Sequence, residues 1–173
     1  MRKLILAIVT VLSAVTLIAP AASAAPQLYG YQIRSYHTGK CLRTVHPVDR
    51  EPVIQNTCES AGDGTDYQHW YFERIGSNGT GTYFRIRNKD NMCMVVQGQA
   101  VGSPAFITPC GDFIDQYFYD VIDIRGFHQL VDYNSGDCLA TNGTNVGDHA
   151  YQLYCLKPDG TFTTFPEVEW DLI

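Results

Sequence analysis

Thr38-Gly39-Lys40-Cys41-Leu42 is written again, with two changes, as Ser135-Gly136-Asp137-Cys138-Leu139. Each is followed, after sixteen intervening residues, by a second cysteine: Cys41 by Cys58, and Cys138 by Cys155. A third pair with the same interval, Cys93 and Cys110, lies between them. Six cysteines admit many connectivities in principle. An interval repeated in every pair favours the one that treats the copies alike: Cys41–Cys58, Cys93–Cys110 and Cys138–Cys155. By the chain-entropy account, each closed loop of this size stabilises by roughly 3 kcal/mol. Together the loops rival the net stability of a whole domain, about 5–15 kcal/mol.

Outward from the cysteines the copies keep matching. Each opens with a short alternating run, Tyr31–Ser35, Tyr83–Asn88 or Phe127–Asp132, that leads through a polar turn to the first cysteine. Strand, polar turn, strand is a hairpin signature. Further turns are expected around 48–52, 99–103 and 145–148, each followed by a short strand up to the second cysteine. An aromatic-rich strand then closes each copy: Gln68–Phe72, Gln116–Tyr119 and Val168–Leu172. This predicts four strands per copy and about twelve overall. Repeats fall at about 28–77, 81–125 and 126–173. No stretch beyond the leader holds a 3.6-residue apolar period over three turns, so the chain is all-β. Four-stranded copies would suit propeller blades, but a closed propeller generally needs four or more of them. A barrel of threefold symmetry is the better fit.

Ahead of the first copy, Arg2 and Lys3 precede an apolar run from Leu4 to Ile18, and Ala22-Ser23-Ala24 has the small residues of a processing site. Residues 1–24 are therefore expected to be a signal peptide, cleaved after Ala24. The apolar run approaches spanning length, which leaves a retained anchor as the alternative; Pro20 and the small residues after it favour processing. A secreted, extracellular destination is oxidising, as the paired cysteines require. About 150 residues remain, enough for one domain with a useful core. The formal net charge is −6, and removal of the leader deletes two positive charges. No block of Lys or Arg remains, so no nucleic-acid partner is expected. Nor is there a basic amphipathic stretch for a membrane surface.

The order Ser/Thr-Gly-x-Cys-Leu, second cysteine, then Gln-x-Trp resembles the ricin-type β-trefoil lectin family. Residues 38–42 with Gln68-His69-Trp70 carry the likeness best. Residues 135–139 match the opening, but that copy ends in Trp170 without the glutamine. The middle copy has Cys93-Met94 and Gln116-Tyr117-Phe118. The resemblance runs from about Leu28 to Ile173. It implies a β-trefoil, a six-stranded barrel capped by three hairpins, with 28–173 as the domain. It also implies that Trp70, Phe118 and Trp170 belong to the core, and that Gln68 and Gln116 are structural hydrogen-bonders.

Sugar-binding members of such a family use a shallow pocket in each copy. An acceptor stands two residues after the first cysteine, an aromatic platform two residues before the second, and an Asn just before the Gln-x-Trp glutamine. Vicinal hydroxyls need bidentate acceptors, and the C–H face of a sugar needs a flat apolar partner. Here the acceptor places hold Arg43, Val95 and Ala140, and the platform places Asn56, Thr108 and Leu153. The Asn places hold Tyr67, Asp115 and Glu167. No copy carries the full set. Substitutes cluster in the third copy: Asn142, Asn145, Asp148, Tyr151 and Tyr154, the carbohydrate-binding residues expected here. Tyr154 would serve as platform if a bulge shifts its strand, Tyr151 lying on the opposite face. In the plainer arrangement one tyrosine packs inward and the asparagines serve turns. The first copy offers Asp66, Tyr67 and His69, and the middle copy is expected to be inert.

Support for catalysis is thin. His37, His46, His69, His128 and His149 are scattered, with no HExxH pair and no GxSxG elbow. Paired cysteines leave no thiol for a nucleophile or a metal. Acid pairs such as Asp112 with Asp115 or Asp120 with Asp123 suit a glycosidase in number, yet acids this close on turns are generally solvated surface. Asn78-Gly79-Thr80 and Asn142-Gly143-Thr144 fit glycosylation sequons and turns alike, and are assigned to turns. The expected function is thus a secreted, monomeric, non-enzymatic carbohydrate-binding protein without cofactor or metal. The alternative is a trefoil that binds a protein partner, as a subunit of a secreted complex or an inhibitor, through the segments 59–66 and 157–166.

Overall fold

The computed structural model describes residues 30–60, 67–141, 143–155 and 165–173. The leader and most of the two segments singled out for protein contact lie outside these residues.

In the first copy the strands are β1 (Gly30–Ser35), β2 (Cys41–Arg43), β3 (Glu51–Pro52), β4 (Ile54–Asn56) and β5 (His69–Ser77). The second has β6 (Thr82–Arg87), β7 (Met92–Val96), β8 (Ala105–Pro109) and β9 (Tyr117–Ile122). The third has β10 (His128–Asp132), β11 (Cys138–Thr141), β12 (Ala150–Leu153) and β13 (Trp170–Leu172). Strands β1, β5, β6, β9, β10 and β13 pair antiparallel in that order, and β13 returns to β1. That closes a six-stranded barrel and removes its edges. The hairpins β2–β4, β7–β8 and β11–β12 cap one end. This is the β-trefoil that the resemblance implies.

Thirteen strands stand where about twelve are expected, because the third strand of the first copy changes partner at Val53. Glu51 and Pro52 pair with Ile107 and Phe106 of β8, whereas Ile54–Asn56 pair with β2. Val53 itself donates its N–H to the Ala105 carbonyl and accepts from the Ala150 N–H. Val53, Ala105 and Ala150 are counterparts, each fully buried where the caps converge. Small side chains let three backbones meet there.

The core stacks in the same threefold order: Ile33, Ile86 and Leu130; Leu42, Met94 and Leu139; Trp70, Phe118 and Trp170. Burying an aliphatic or aromatic side chain of this size stabilises by about 1.5–3 kcal/mol. The indole N–H groups of Trp70 and Trp170 donate to the carbonyls of Leu42 and Leu139 at 3.0 and 3.1 Å. Gln68 accepts from the Glu59 N–H and donates to the Thr57 carbonyl; Gln116 accepts from the Gly111 N–H and donates to the Pro109 carbonyl. Both glutamines are buried and hold the chain on either side of Cys58 and Cys110, the structural role expected of them. Cys41–Cys58, Cys93–Cys110 and Cys138–Cys155 are bonded, and no free cysteine stands among the described residues.

Buried polar residues close the turns after the first strand of each copy. Ser35 Oγ accepts one backbone N–H, Asn88 Oδ1 accepts those of Asp90 and Met92, and Asp132 Oδ1 accepts those of Asn134 and Ser135. Asn78 Oδ1 accepts the N–H groups of Thr80 and Gly81, so the first sequon does form a turn; Asn142 of the second lies outside the described residues.

A second set of buried groups ties the copies together. Gln55 of the first donates to the Gly143 carbonyl in the loop of the third at 3.0 Å. Gln152 of the third donates to the Ala100 carbonyl in the loop of the second. Their counterpart in the second copy is Ile107, which has no amide to offer the loop 44–50 of the first.

Candidate functional site

The β11–β12 hairpin pairs Cys138 with Leu153, Leu139 with Gln152, Ala140 with Tyr151 and Thr141 with Ala150, in unbroken register. No bulge shifts this strand. Tyr151 therefore shares the outer face with Ala140 and Leu153, while Gln152 and Ala150 point into the core. Tyr151 is half-buried, and burial, with the charge of Glu167 second, raises its pKa. Tyr154 follows the strand and is 60% exposed. In the loop, Asp148 Oδ2 accepts the Asn145 N–H at 2.7 Å, and a β-carbon on Gly143 would lie 2.5 Å from that same oxygen. The structure thus brings Asn145 and Asp148 together as turn partners and sets Tyr151 and Tyr154 apart along the chain. Asn142 is outside the described residues.

In the first copy the acceptor place is filled. Arg43 lies 3.5 Å from Glu59 and both are largely buried. The Tyr67 ring carries the Arg43 guanidinium at 5.9 Å and the Lys89 ammonium at 4.8 Å. Both cations lie within cation–π range of the ring, and a sugar stacking there would compete with them.

The middle copy, expected to be inert, instead bears a cavity of about 440 Å³ lined by Val95, Phe106, Thr108, Phe113, Asp115 and Asp49, with Arg50, Gln97, Pro109 and Gln116 completing it. That volume lies within the usual range for small-molecule sites. Its floor is the outer face of β7–β8, where Val95 pairs with Phe106. Thr108 Oγ1 accepts from Gln116 Nε2 at 2.7 Å. One wall is the segment before β9: Asp115 stands in the 3-10 turn Ile114–Gln116, and Phe113 precedes it, 61% exposed. The Phe113 ring lies folded over Gly111, where an added β-carbon would fall 2.3 Å from the ring. The other wall comes from the first copy. Arg50 stacks over Phe106 at 5.1 Å and donates to Gln97 Oε1 at 2.7 and 3.2 Å.

The floor of this cavity coincides with the acceptor and platform places of the middle copy, Val95 and Thr108, and Asp115 holds its Asn place. The family profile for the ricin-type beta-trefoil lectin domain matches residues 29–161. The chain belongs to the ricin-type β-trefoil lectin family. Among solved structures, the designed threefold-symmetric protein ThreeFoil is similar with a TM-score of 0.71 at 20% identity, over 83% of this chain and 97% of that one. The Polyporus squamosus lectin, solved bound to a sialylated influenza-binding epitope, gives 0.65 at 15% identity, over 86% of this chain and 50% of that one. The C-half of the earthworm R-type lectin, solved with GalNAc, gives 0.59 at 14% identity, over 83% and 96%. At these identities the likeness speaks for the fold. No curated protein matches the sequence.

The sequence shows Val95, Thr108 and Asp115 at the family's acceptor, platform and Asn places, but only as departures from the family set in a copy expected to be inert; it does not show Asp49, Arg50, Gln97, Phe106 and Phe113 gathering around them. Asp49 and Arg50 reach the cavity from another copy, and no local spacing announces that. A signal for Phe113 does exist: an aromatic two residues after Gly111, in a polar loop with no apolar period to satisfy. Among the described residues no group of three or more His, Cys, Asp or Glu is placed to hold a metal.

Proposed function

We propose that the protein is a secreted, monomeric, non-enzymatic carbohydrate-binding protein whose sugar site is the cavity on the middle copy. The observation that carries this reading is the place of the cavity: it occupies the family's sugar position, with the missing parts supplied from the walls. Asp49 and Asp115 are acceptors for sugar hydroxyls, and Phe113 offers an exposed ring whose edge rests against Gly111. A single shallow site of this kind binds weakly, with Kd roughly 10⁻⁴ to 10⁻³ M, or about −4 to −5.5 kcal/mol. The test is a glycan array with the mature protein in multivalent display, followed by calorimetry with the best sugar on Phe113→Ala and Tyr154→Ala. Loss of about 1–3 kcal/mol in Phe113→Ala alone supports the middle copy. Loss in Tyr154→Ala alone moves the site to the third copy, which the exposure of Tyr154 favours as the second candidate. An array without signal removes the sugar-binding reading.

That outcome would favour a protein partner. The turn between β9 and β10 leaves Ile122 at 61% and Ile124 at 104% exposure, an apolar tip of the sort that docks on another surface. Recovery of the native protein as a complex larger than its own mass supports this reading, and a monomer opposes it.

A further inference from the structure

Arg50 stands where the threefold pattern uses glycine. It lies eight residues before the second cysteine of its copy, as do Gly102 and Gly147. All three have left-handed backbone, with φ of 64° at Arg50, 88° at Gly102 and 90° at Gly147. All three make the same bond to the neighbouring copy: Arg50 N–H to the Ile107 carbonyl, Gly102 to Gln152 and Gly147 to Gln55. The geometry of the cap therefore demands this conformation, and glycine meets the demand without steric conflict. An arginine does not, because its β-carbon crowds the following carbonyl. Among the described residues the other left-handed residue that is not glycine is Asn91, of a type that tolerates the region.

Strain kept at one of three equivalent positions points to what the side chain does there. The Arg50 side chain reaches the one described cavity that lies on a family sugar position. Among the described residues its guanidinium is held by Gln97 Oε1 and by the face of Phe106, and by no carboxylate. Both terminal nitrogens converge on the single Gln97 oxygen. A guanidinium carries five N–H donors, so at least three remain for a ligand. The rest of the cavity rim contributes acceptors, Asp49 and Asp115.

We propose that Arg50 is a ligand-contacting, specificity-determining residue of the middle-copy site, kept in a strained conformation because it is the cavity's cationic hydrogen-bond donor. This rests on the reading of that cavity as a sugar site and extends it. The ligand class follows from the donor and acceptor set. It is an uncharged sugar whose vicinal hydroxyls face Asp49 and Asp115 while a ring or glycosidic oxygen accepts from Arg50. Two carboxylates outweigh one cation on this rim, which disfavours a uronic acid, while the arginine offsets part of the attraction that the carboxylates would exert on a free amino sugar.

The test compares wild type with Arg50→Gly, Arg50→Asn and Arg50→Lys, using the best neutral sugar from the array and matched uronate and free-amine sugars in calorimetry, with thermal melts of every variant. Arg50→Gly and Arg50→Asn should melt no lower than wild type, since both residues accept left-handed backbone, yet bind the neutral sugar about tenfold more weakly. Arg50→Lys keeps the charge but loses the planar fork, and should fall at least threefold, as a rough guide. Removal of the cation should also shift preference toward the free-amine sugar. Arg50→Gly that binds like wild type overturns the assignment of Arg50 while leaving the cavity as the site. Arg50→Gly and Arg50→Asn that both melt lower identify Arg50 as a structural tether to Gln97 and overturn it equally. Wild type that binds none of these sugars overturns the underlying reading and this one with it.

Discussion

Replacing Asp132 with Asn should stabilise the protein at neutral pH, and the gain should vanish in acid. Asp132 is fully buried at the end of β10. Its Oδ1 accepts the N–H groups of Asn134 and Ser135 at 2.9 and 2.7 Å and the Ser135 hydroxyl at 3.0 Å. Its Oδ2 has no hydrogen-bond partner among the described residues. Burial, aided by the charge of Asp115, pushes the carboxyl from 3.8 to about 6 in spite of those bonds. Above pH 6 the folded state carries a buried carboxylate that the unfolded chain would hold in water, so ionisation favours unfolding. As pH falls through 6 toward 3.8 the folded state takes up its proton first, and stability rises. A displacement of this size corresponds to about 3 kcal/mol at pH 7. The counterpart Asn88 does the same turn-closing work with a neutral amide. Leaving an amide nitrogen unpaired returns about 1 kcal/mol of the gain. Asp132→Asn should therefore be more stable by about 2 kcal/mol at pH 7, or roughly 4–8 °C in Tm for a domain of this size. Urea unfolding of both proteins at pH 7, 5.5 and 4 measures it. Equal stability at pH 7, or a gap that persists unchanged at pH 4, would refute the argument.

Gly111→Ala has ordinary backbone geometry open to it but must expel the Phe113 ring, so sugar affinity should fall about as far as in Phe113→Ala, within roughly 1 kcal/mol; calorimetry with an unchanged melt checks this. Trp70→Phe imitates Phe118 of the middle copy, leaves the Leu42 carbonyl without its indole donor, and should lower stability by about 1–3 kcal/mol in urea titrations. The hydrogen bond to Asp120 at 2.8 Å raises the His128 pKa above 6.5, against desolvation and with help from the charges of Asp120 and Asp171. The protonated pair stabilises fully below pH 6.5 and is lost as pH rises through the higher folded value. Thermal melts between pH 6 and 8 should show wild type losing stability relative to His128→Gln, and parallel curves would exclude the effect. Reduction of the disulfides should lower Tm strongly, each loop being worth about 2–4 kcal/mol.

How much of this was legible in the sequence depended on whether the relevant physics is local. The repeated cysteine interval pointed to each closed loop, and the family resemblance put Trp70, Phe118 and Trp170 in the core with Gln68 and Gln116 as structural hydrogen-bonders, because these positions recur in register from copy to copy. Tyr151 and Tyr154 were harder. A single residue of register decides which of them shares a face with Ala140, and the strand before Cys155 offers no pattern that sets it. The extra strand break at Val53 arises from a change of partner between copies. So does the cavity: Asp49 and Arg50 sit more than forty residues from Val95 and meet it only through the threefold packing of the caps.

The ring of buried amides that fastens one copy's loop to the next is open at one place, and the opening has a kinetic meaning. Gln55 and Gln152 anchor the loops of the third and second copies to the cap from beneath. The loop of the first copy faces Ile107 and keeps its backbone bond at Arg50. Among the described residues its side-chain holds are Arg43 on the Thr44 carbonyl at the loop's start and, at its end, Arg50 on Gln97 and Phe106, with no buried amide beneath. Local opening draws on the elements with the fewest buried fastenings, so amide exchange across residues 44–50 should outrun that of the two sister loops. The same segment forms one wall of the cavity. Occupancy of the site would then register as slowed exchange in a loop of the neighbouring copy, a binding signal readable without knowing the sugar's identity in advance.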